Sequence, residues 1–330
     1  MTNILVTGGA GYIGSHVVKE LLHQGSRPIV YDNLQTGHRG AAGSAQFVQG
    51  DLADSRRLRE TFATHSIDSV IHFAADSLVG ESMKNPLKYF SNNVKNGLQL
   101  VEIMLEFCVR KMVFSSSAAV YGEPKEIPIP EDHPCAPINP YGETKWIFEK
   151  VLEGLSSARE LGYVSLRYFN AAGADPKGEL GEDHSLETHL IPIALTAALK
   201  GGSIPIYGSD YDTPDGTCIR DYVHVTDLAQ AHILALERLG KGGDSAVYNL
   251  GNGNGYSVKE VIDTVKKVTG RRVASTEAPR RPGDPARLVA SSGKIVRELN
   301  WKPQYPELET IVETAWQWHR NHPEGYGDRI

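Results

Sequence analysis

The chain has 330 residues, enough for one large domain or for a large domain with a smaller one attached. Its hydrophobic share of 40% and charged share of 22% are ordinary for a soluble globular protein. The net charge of −6, without a run of lysine or arginine, argues against a partner that is a nucleic acid.

Neither a metal site nor a membrane segment is apparent in the sequence. The three cysteines lie far apart and indicate neither a disulfide framework nor a zinc site, and we assign no metal ligand. The N-terminus lacks the basic region and apolar run of a signal peptide, and no apolar stretch is long enough to span a bilayer. We therefore expect a cytoplasmic protein without a membrane partner.

Short β-branched segments alternate with amphipathic segments through the first half of the chain. This alternation predicts an α/β fold of the doubly wound Rossmann type, a parallel sheet with helices on both faces. The predicted strands are Asn3–Thr7, Arg27–Tyr31, Ala45–Gln49, Ser69–Ala74, Lys111–Ser116 and Tyr163–Phe169. The predicted helices are Ser15–Gln24, Ser55–Thr64, Leu87–Phe107 and Tyr141–Leu161.

Beyond about residue 170 the alternation loosens into loops rich in glycine and proline. We predict a dinucleotide-binding Rossmann domain over residues 1–170, with a returning segment near 223–250, and a smaller α/β domain for a second ligand over residues 171–330. Near the end of the chain, Ser257 and Glu260 have the spacing of a capping box and predict the start of a helix.

A glycine-rich turn follows the first predicted strand. Gly8, Gly11 and Gly14 are spaced G-x-x-G-x-x-G between a strand and a helix. In this context the first glycine permits the tight turn, the second lets a pyrophosphate approach the backbone, and the third lets the helix pack on the strand. The helix N-terminus, with Tyr12 and Ile13, would then face the phosphates.

The second predicted strand is followed by a carboxylate. Asp32 lies about 20 residues past the glycine motif, where a carboxylate accepts hydrogen bonds from the adenosine ribose, and Asn33 is its neighbour. Because a carboxylate repels a 2′-phosphate, the sequence favours NAD over NADP.

The fifth predicted strand ends in three serines, and Tyr141 and Lys145 follow one helix later behind Pro140. The carboxyl ends of parallel strands line the ligand crevice. A lysine one helical turn from a tyrosine lies on the same face, and its charge, with a cationic nicotinamide ring, favours the phenolate that can take a proton from a substrate hydroxyl. Tyr-x-x-x-Lys alone also occurs on exposed helices, but the nucleotide loop upstream favours a catalytic pair.

The G-x-x-G-x-x-G spacing together with Tyr-x-x-x-Lys resembles the extended short-chain dehydrogenase/reductase family over nearly the whole chain. The resemblance implies that Ser117, Tyr141 and Lys145 are catalytic and that NAD is bound tightly through the cycle. It also implies cofactor contacts from Tyr141, Lys145 and a further set of residues. This set is Asp51, Leu52, Phe73, Ala74, Ala75, Asn92, Ser115 and Tyr168. The alternatives are that Asp51 is a turn residue and Phe73 belongs to the core.

The segments "DGTCIRDYVHV" and "YNLGNG" resemble the members of this family that epimerise UDP-sugars. This implies interconversion of UDP-glucose and UDP-galactose through a 4-keto intermediate, as in galactose metabolism, with UDP-sugar bound by residues 171–330. Arginines suit a diphosphate, a tyrosine can stack on uracil, and a carboxylate can accept a ribose hydroxyl. Besides Ser117 and Tyr141, the implied substrate residues are Asn170, His189, Leu190, Tyr207, Arg220, Arg281, Asp284 and Leu288.

The chain departs from these relatives at three places. His189 stands where the best-known relatives have asparagine, Ser77 where some have lysine, and Leu288 at a position that gates sugar size. Leucine is intermediate in volume, which leaves weaker activity on UDP-N-acetylglucosamine open. His189 could equally anchor a loop.

Two other functions stay open. A nucleotide-sugar 4,6-dehydratase needs an acid–base pair after the fifth strand, where this chain has Ala118 and Ala119. A non-catalytic NAD-binding regulator would keep the fold without the chemistry. The predicted helices Leu87–Phe107 and Tyr141–Leu161 could form a four-helix homodimer seam, as in family members.

Overall fold

The computed structural model describes residues 2–281 and 284–328. Its strands are β1 (Asn3–Thr7), β2 (Arg27–Asp32), β3 (Gln46–Gln49), β4 (Ser69–His72), β5 (Lys111–Ser117), β6 (Gly162–Tyr168), β7 (Asn170–Ala172), β8 (Ser203–Tyr207), β9 (Ile219–Arg220), β10 (Tyr222–His224), β11 (Ala246–Leu250), β12 (Tyr256–Ser257), β13 (Ala274–Ala278) and β14 (Arg287–Leu288). Its α-helices are α1 (Tyr12–His23), α2 (Ser55–His65), α3 (Val79–Lys84), α4 (Pro86–Tyr89), α5 (Asn96–Glu106), α6 (Pro140–Ser157), α7 (Leu190–Lys200), α8 (Val225–Gly240), α9 (Val258–Thr269), α10 (Gly293–Leu299) and α11 (Leu308–Asn321).

A seven-stranded parallel sheet forms the centre of the molecule, in the order β11-β6-β5-β4-β1-β2-β3. The chain winds outward from β1 in one direction through β2 and β3, then returns to β4 on the other side of β1. This reversal opens a crevice at the carboxyl ends of β1 and β4, where doubly wound folds bind ligands. The predicted α/β fold with a Rossmann-type sheet is confirmed.

Two apolar cores cover the two faces of this sheet. On one face α1 and α8 pack together, with Val17, Leu21 and Leu228 buried against the strands. On the other face α2, α5 and α6 bury Leu58 and Phe148 among others. Because the strands are covered on both faces, they are apolar along nearly their whole length, as parallel strands require.

The six predicted strands of the large sheet all form, with ends shifted by at most two residues from the prediction. The helix predicted over 87–107 forms over residues 86–106, but it is not α-helical throughout, because a wider π-helical turn, Phe90–Lys95, lies between α4 and α5. Within that turn the buried amide of Asn93 donates to the Asp76 carbonyl and to Thr144 Oγ1. Tertiary hydrogen bonds of this kind leave no mark on the apolar periodicity that predicted the helix.

The chain beyond residue 170 builds three small sheets and a separate core. The sheets pair β7 with β10, β8 with β13, and β9 with β12 and β14. Helices α7, α9 and α11 enclose the core, with Ile191, Val261 and Ile311 fully buried. The predicted capping box is confirmed, since Ser257 accepts from the Glu260 amide while Glu260 accepts from the Ser257 amide. The strand β11, from the returning segment, lies at the edge of the large sheet.

In the part of the chain that the structure describes, no helix is both long and apolar enough to cross a membrane. The cytoplasmic location stays a prediction.

Candidate active site

The glycine-rich turn lies in the crevice between β1 and β4. Gly8 has φ +71°, and a Cβ there would lie 2.6 Å from the Ala74 amide nitrogen. A Cβ on Gly14 would lie 2.2 Å from the Gly8 carbonyl oxygen, so the chain after β4 demands glycine at position 8 and the packing of the helix on the turn demands it at position 14. At Gly11 the nearest atom would be 3.3 Å away. Protein packing alone does not demand glycine there, whereas a closely approaching pyrophosphate would.

The first turn of α1 faces this crevice. The amides of Tyr12, Ile13 and Gly14 belong to the first helical turn, where a helix supplies no acceptors of its own. They form an anion site together with the positive end of the helix dipole. The Tyr12 hydroxyl donates to the Gly173 carbonyl oxygen at 2.6 Å, which ties the loop to the second half of the chain. Burial, followed by the charge of Glu182, raises the pKa of Tyr12 well above its ordinary value.

Asp32 is held in place at the end of β2. Its carboxylate is buried and accepts hydrogen bonds from the Ala10 amide at 3.0 Å and the Leu34 amide at 2.8 Å. Burial raises the pKa of Asp32, and the two backbone hydrogen bonds act in the opposite direction. The side chain therefore lies beside the glycine-rich turn, fixed where the sequence predicts a contact with the adenosine ribose.

The neighbouring residues on the predicted adenine side are brought together. Asn33 Nδ2 donates to the Asp51 carboxylate at 2.7 Å, and the other Asp51 oxygen accepts from the Ala53 amide at 2.8 Å. Leu52 is buried in the core beside β3. Asp51 is thus both a turn residue and a neighbour of Asn33, so the two interpretations of this residue are compatible.

The chain leaving β4 closes the crevice. The amides of Phe73 and Ala74 both donate to the Thr7 carbonyl oxygen, at 2.9 and 3.1 Å, and Ala75 follows them. This brings Ala74 against the glycine-rich turn. The Phe73 ring packs 4.7 Å from the His232 ring, which also gives it a place in the core.

Asn92 lies in the π-helical turn, where its amide accepts from Asn96 Nδ2 at 3.4 Å. Its neighbour Asn93, which the sequence analysis did not single out, bonds both to the backbone at Asp76 and to Thr144 on α6. This residue joins the loop after β4 to the helix that carries Tyr141 and Lys145. A polar residue inside an apolar helical pattern was the signal that could have identified it.

Ser117 and Tyr141 meet at the end of β5. Asn139 caps α6 by accepting from the Gly142 amide at 2.8 Å, so the helix begins just before Tyr141. This places the phenol in the first turn of α6, where the neighbouring Ser117 side chain favours its ionised form. Ser117 also accepts from the Ala119 amide at 3.1 Å, which fixes its hydroxyl.

Lys145 lies one helical turn after Tyr141 and is only 3% exposed. Its ammonium group donates to the Ser115 carbonyl oxygen at 2.7 Å and lies 5.8 Å from the centre of the Tyr141 ring. The Ser115 hydroxyl is in turn hydrogen-bonded to the Tyr168 hydroxyl at the end of β6. The ends of β5 and β6 and the first turns of α6 therefore surround one buried polar centre.

Burial dominates the ionisation of this pair. Desolvation raises the pKa of Tyr141, and the hydrogen bond with Ser117 opposes it only in part. Desolvation also lowers the pKa of Lys145 to about 7, although the charge of Glu149 acts in the opposite direction. The predicted stabilisation of the phenolate by Lys145 together with a cationic nicotinamide ring stays a prediction, and it would have to overcome this effect of burial.

A buried ion pair that was not predicted from the sequence lies behind the polar centre. Arg167 on β6 donates to both oxygens of Glu149 on α6, and Glu149 also accepts from the Ser116 hydroxyl. Glu149 lies one turn beyond Lys145 and favours its charged form. A glutamate four residues after the lysine, with an arginine in a neighbouring strand, was the available signal.

Four predicted substrate residues form two pairs. Arg220 on β9 is ion-paired with Asp284, and both are largely shielded from solvent. The Arg281 guanidinium lies 4.0 Å above the centre of the Tyr207 ring. The structure thus brings the arginines to the residues predicted to bind uracil and ribose. In this arrangement Arg281 covers one face of the Tyr207 ring, and Asp284 is ion-paired with Arg220.

Two further predicted residues border the strand ends. Asn170 follows β6 directly, and its amide donates to the Asp221 carbonyl at 2.9 Å. Leu288 on β14 pairs in register with Arg220 and packs in a small apolar cluster that includes Ala118, directly after Ser117. Leu288 therefore lies beside the predicted catalytic strand end and also contributes to local packing.

His189 and Leu190 begin helix α7. His189 precedes the first helical residue, and its Nδ1 lies 2.5 Å from the buried Glu182 carboxylate. The carboxylate of Glu187 accepts from the His189 amide at 2.7 Å. His189 is thus anchored to its own loop, as one of the two interpretations from the sequence predicted.

Comparison with known proteins agrees with this geometry. Residues 4–251 match the model of the NAD dependent epimerase/dehydratase family. A UDP-glucose 4-epimerase of Halalkalibacterium halodurans is 59% identical over 98% of this chain and 97% of its own length.

Solved structures superpose closely. The UDP-glucose 4-epimerase of Brucella ovis in complex with NAD is 48% identical, with a TM-score of 0.93, covering 96% of this chain and 98% of the other. That of Bifidobacterium longum with NAD+ and UDP is 39% identical, with a TM-score of 0.94, covering 98% and 100%. The chain belongs to the NAD dependent epimerase/dehydratase family.

Proposed function

We propose that the protein is an NAD-dependent UDP-glucose 4-epimerase, which interconverts UDP-glucose and UDP-galactose through a 4-keto intermediate. The observation that carries this proposal is the meeting of Ser117, Tyr141 and Lys145 at the carboxyl end of β5, on the same edge of the sheet as the glycine-rich turn after β1. The similarity over nearly the full chain to UDP-glucose 4-epimerases supports the same activity.

The crevice fits a dinucleotide. The glycine-rich turn leaves no room for side chains at Gly8 and Gly14, and the amides at the start of α1 point to where a pyrophosphate would lie. Asp32 is buried at the ribose position and its charge selects against NADP. When bound, NAD supplies the hydride acceptor and donor for the sugar C4.

The chain's own residues would handle the proton. Oxidation at C4 needs the O4 proton removed, and Tyr141 is the group placed to accept it and later return it. Ser117, whose side chain favours the ionised form of this phenol, would hold O4 in line. Lys145, fixed by the Ser115 carbonyl, would stabilise the phenolate and bond the nicotinamide ribose.

Epimerisation also needs the sugar to present its other face while the nucleotide stays bound. Arg220 and Arg281 would hold the diphosphate, with Tyr207 against the uracil and Asp284 at the uridine ribose. The two observed pairs support this set, because they already gather it in one place. The substrate diphosphate would have to compete with Asp284 for Arg220. Binding of the diphosphate by Arg220 and of the uridine ribose by Asp284 would therefore be coupled.

The closest rival activity is 4,6-dehydration, which needs a further acid and base next to the strand end. In the structure that place is a short turn of alanines, Ala118–Val120, and an alanine side chain cannot transfer a proton. This favours an epimerase, which needs only the Tyr141 proton exchange.

The purified protein should be incubated with UDP-galactose and no added NAD, and the products identified by NMR spectroscopy. We expect UDP-glucose, with NAD released only on denaturation. A 4-keto-6-deoxy sugar would establish a dehydratase instead. Bound NAD without turnover of any UDP-sugar would establish a non-catalytic NAD-binding protein.

We also propose that the protein is a homodimer through the surface formed by α3, α4 and α6, which pack together. This surface exposes large apolar side chains, with Met83 60% and Leu87 74% exposed and Ile147 beside them in the same layer. Leu87→Glu should shift the mass measured by light scattering toward the monomer. Val296→Glu, at an exposed apolar residue on α10, is the control and should leave the mass unchanged.

A further inference from the structure

Two histidines and two glutamates meet in the loop before α7. Glu182, His184, Glu187 and His189 each offer a nitrogen or oxygen atom, and these four atoms all lie within 4.8 Å of one another. Glu182 is buried, whereas the other three are partly or largely open to solvent. The cluster lies outside the Ser117–Tyr141–Lys145 centre and has no part in the proposed proton transfer.

The distances between these atoms resemble the edges of a tetrahedron around zinc. With ligands about 2.0–2.2 Å from the metal, tetrahedral geometry separates neighbouring ligand atoms by about 3.3–3.6 Å. His184 Nδ1 lies 3.3 Å from an oxygen of Glu182 and 3.3 Å from one of Glu187. His189 Nδ1 lies 3.4 Å from Glu187 and 2.5 Å from Glu182. Of these four distances, the 2.5 Å one would have to lengthen by about 1 Å, and Glu187 would have to use one of the two oxygens that now face His184 and His189 separately.

We propose that Glu182, His184, Glu187 and His189 form a binding site for one divalent transition-metal ion, with Zn²⁺ as the best match. Two imidazoles and two carboxylates match the nitrogen and oxygen ligands of zinc, whereas Mg²⁺ and Ca²⁺ prefer oxygen alone. The charges also balance, since the two carboxylates neutralise the two positive charges of the ion and the two imidazoles bind it in their neutral form.

The surroundings hold the ligands in place. Glu187 accepts from the amides of Thr188 and His189, both at 2.7 Å, so the carboxylate is oriented by the loop's own backbone. The His184 and His189 rings lie 5.7 Å apart with their Nδ1 atoms on the same two carboxylates. Four protein ligands complete a tetrahedron, which is the arrangement of a structural rather than a catalytic zinc site.

A bound ion would fix the loop of residues 182–189, which lies next to both the proposed NAD site and the proposed substrate site. Its charges act on Tyr12 at the start of α1, and His189 leads directly into Leu190 and α7. A bound ion would hold His189 in one orientation beside the predicted substrate residues. The inference concerns ion binding and stability, and it does not rest on the proposed epimerase activity.

The cysteines give no zinc signal, and the signal for this site lies among the histidines and glutamates. The segment "GEDHSLETHL" places His184 and His189 at an H-x₄-H spacing, with a glutamate two residues before each histidine. That spacing falls within the range used by histidine pairs in zinc sites.

The test uses the full chain without an affinity tag, stripped with a chelator and titrated with ZnCl₂ in a calorimeter. We expect one ion per chain and a thermal midpoint that rises with zinc concentration. Loss of a ligand's hydrogen-bond partner costs about 10- to 100-fold in affinity, so His184→Ala, which removes a ligand, should weaken binding at least about 100-fold. Co²⁺ in place of zinc should give the visible absorption of a tetrahedral site, absent in the variant.

The matched control is His23→Ala, which removes an exposed histidine elsewhere on the surface and should leave zinc binding unchanged. Glu187→Gln provides a second ligand variant should His184→Ala fail to fold, and it should also lose binding. The proposal is overturned by less than stoichiometric binding to the parent chain, or by equal binding to the parent and both ligand variants. In either case the four residues are an ion-paired cluster only.

Discussion

The ammonium group of Lys145 donates a hydrogen bond of 2.7 Å to the carbonyl oxygen of Ser115 on the neighbouring strand. This contact holds helix α6 against the end of β5, one turn after Tyr141, whose ionised form the Ser117 side chain favours. The backbone oxygen leaves the lysine little freedom, and its nearly complete burial makes its charge sensitive to its surroundings. The proposed chemistry therefore depends on groups that the fold has already positioned.

Tyr141→Phe should leave folding and NAD binding nearly intact and reduce turnover of UDP-galactose by about 100-fold or more, the usual scale for a lost acid–base group. The phenyl ring fills the same space but cannot carry the O4 proton. Turnover and the amount of NAD released on denaturation are measured together. Near-normal turnover would remove Tyr141 from the proposed mechanism.

Lys145→Met should lower turnover by a similar factor and shift the kcat/KM profile to higher pH, because the phenolate loses its nearby cation. Lys150→Met is the control on the same helix, since Lys150 is exposed and its ammonium group pairs with Glu153 and lies 5.5 Å from the centre of the Trp146 ring. An unshifted profile in Lys145→Met would show that the lysine charge does not set the ionisation of Tyr141.

The large sheet could be predicted because its signals are local. β1, Asn3–Thr7, begins and ends as predicted, since a buried parallel strand is a short apolar run bounded by a glycine turn. The π-helical turn Phe90–Lys95 could not be predicted. Its cause is the hydrogen bonding of Asn93 to Asp76 and Thr144, and these partners are distant in the chain.

The candidate site also contains residues that could be predicted from the sequence and contacts that could not. Tyr141 and Lys145 were found because one helical turn fixes their relation along the chain. The pairing of Glu149 with Arg167, and of Arg220 with Asp284, depends on which strands and loops become neighbours. The direction of the Tyr141 pKa shift was also beyond the sequence, because burial decides it.

His232 should make the protein less stable in mild acid. Burial lowers its pKa to about 4, and its ring is packed between Phe73 and Tyr168. The unfolded chain, with a histidine pKa near 6.5, therefore binds more protons between about pH 6.5 and pH 4, so the free energy of unfolding falls as pH drops through this window. His232→Phe should remove at most about 3 kcal/mol of that fall.

Urea unfolding at pH 7 and pH 5 measures the difference for parent and variant. His23→Phe, at an exposed histidine, should keep the parent's pH dependence. The same dependence in His232→Phe would mean that other buried groups account for the acid sensitivity.

Asp32 should decide the preference for NAD over NADP. Its buried carboxylate would face the 2′-phosphate of NADP with like charge. Asp32→Asn keeps an oxygen for the Ala10 or Leu34 amide but removes the charge, whereas Asp32→Ala removes both. We expect both variants to narrow the difference between the dissociation constants of NAD and NADP, measured on protein from which bound NAD has been removed. An unchanged ratio would place the selection elsewhere.

Leu288 should set the size of the sugar that the site accepts. It packs against the apolar cluster that contains Ala118, the residue after Ser117, and pairs with Arg220 across the small sheet, so it connects the neighbourhoods of the proposed catalytic and diphosphate groups. The competing interpretation gives Leu288 only the packing of that cluster, with Tyr121 and Ile129.

Leu288→Tyr and Leu288→Ser separate these two interpretations. A gate at residue 288 must pass the 2-substituent of the sugar in both orientations of the keto intermediate. Tyrosine would close the space that an N-acetyl group needs and spare the glucose pair, while serine would open it. We expect the ratio of UDP-N-acetylglucosamine to UDP-glucose turnover to fall in the first variant and rise in the second. Val296→Ser, an apolar-to-serine change on exposed α10, controls for general effects. If both Leu288 variants keep the same ratio of UDP-N-acetylglucosamine to UDP-glucose turnover, Leu288 has only a packing role.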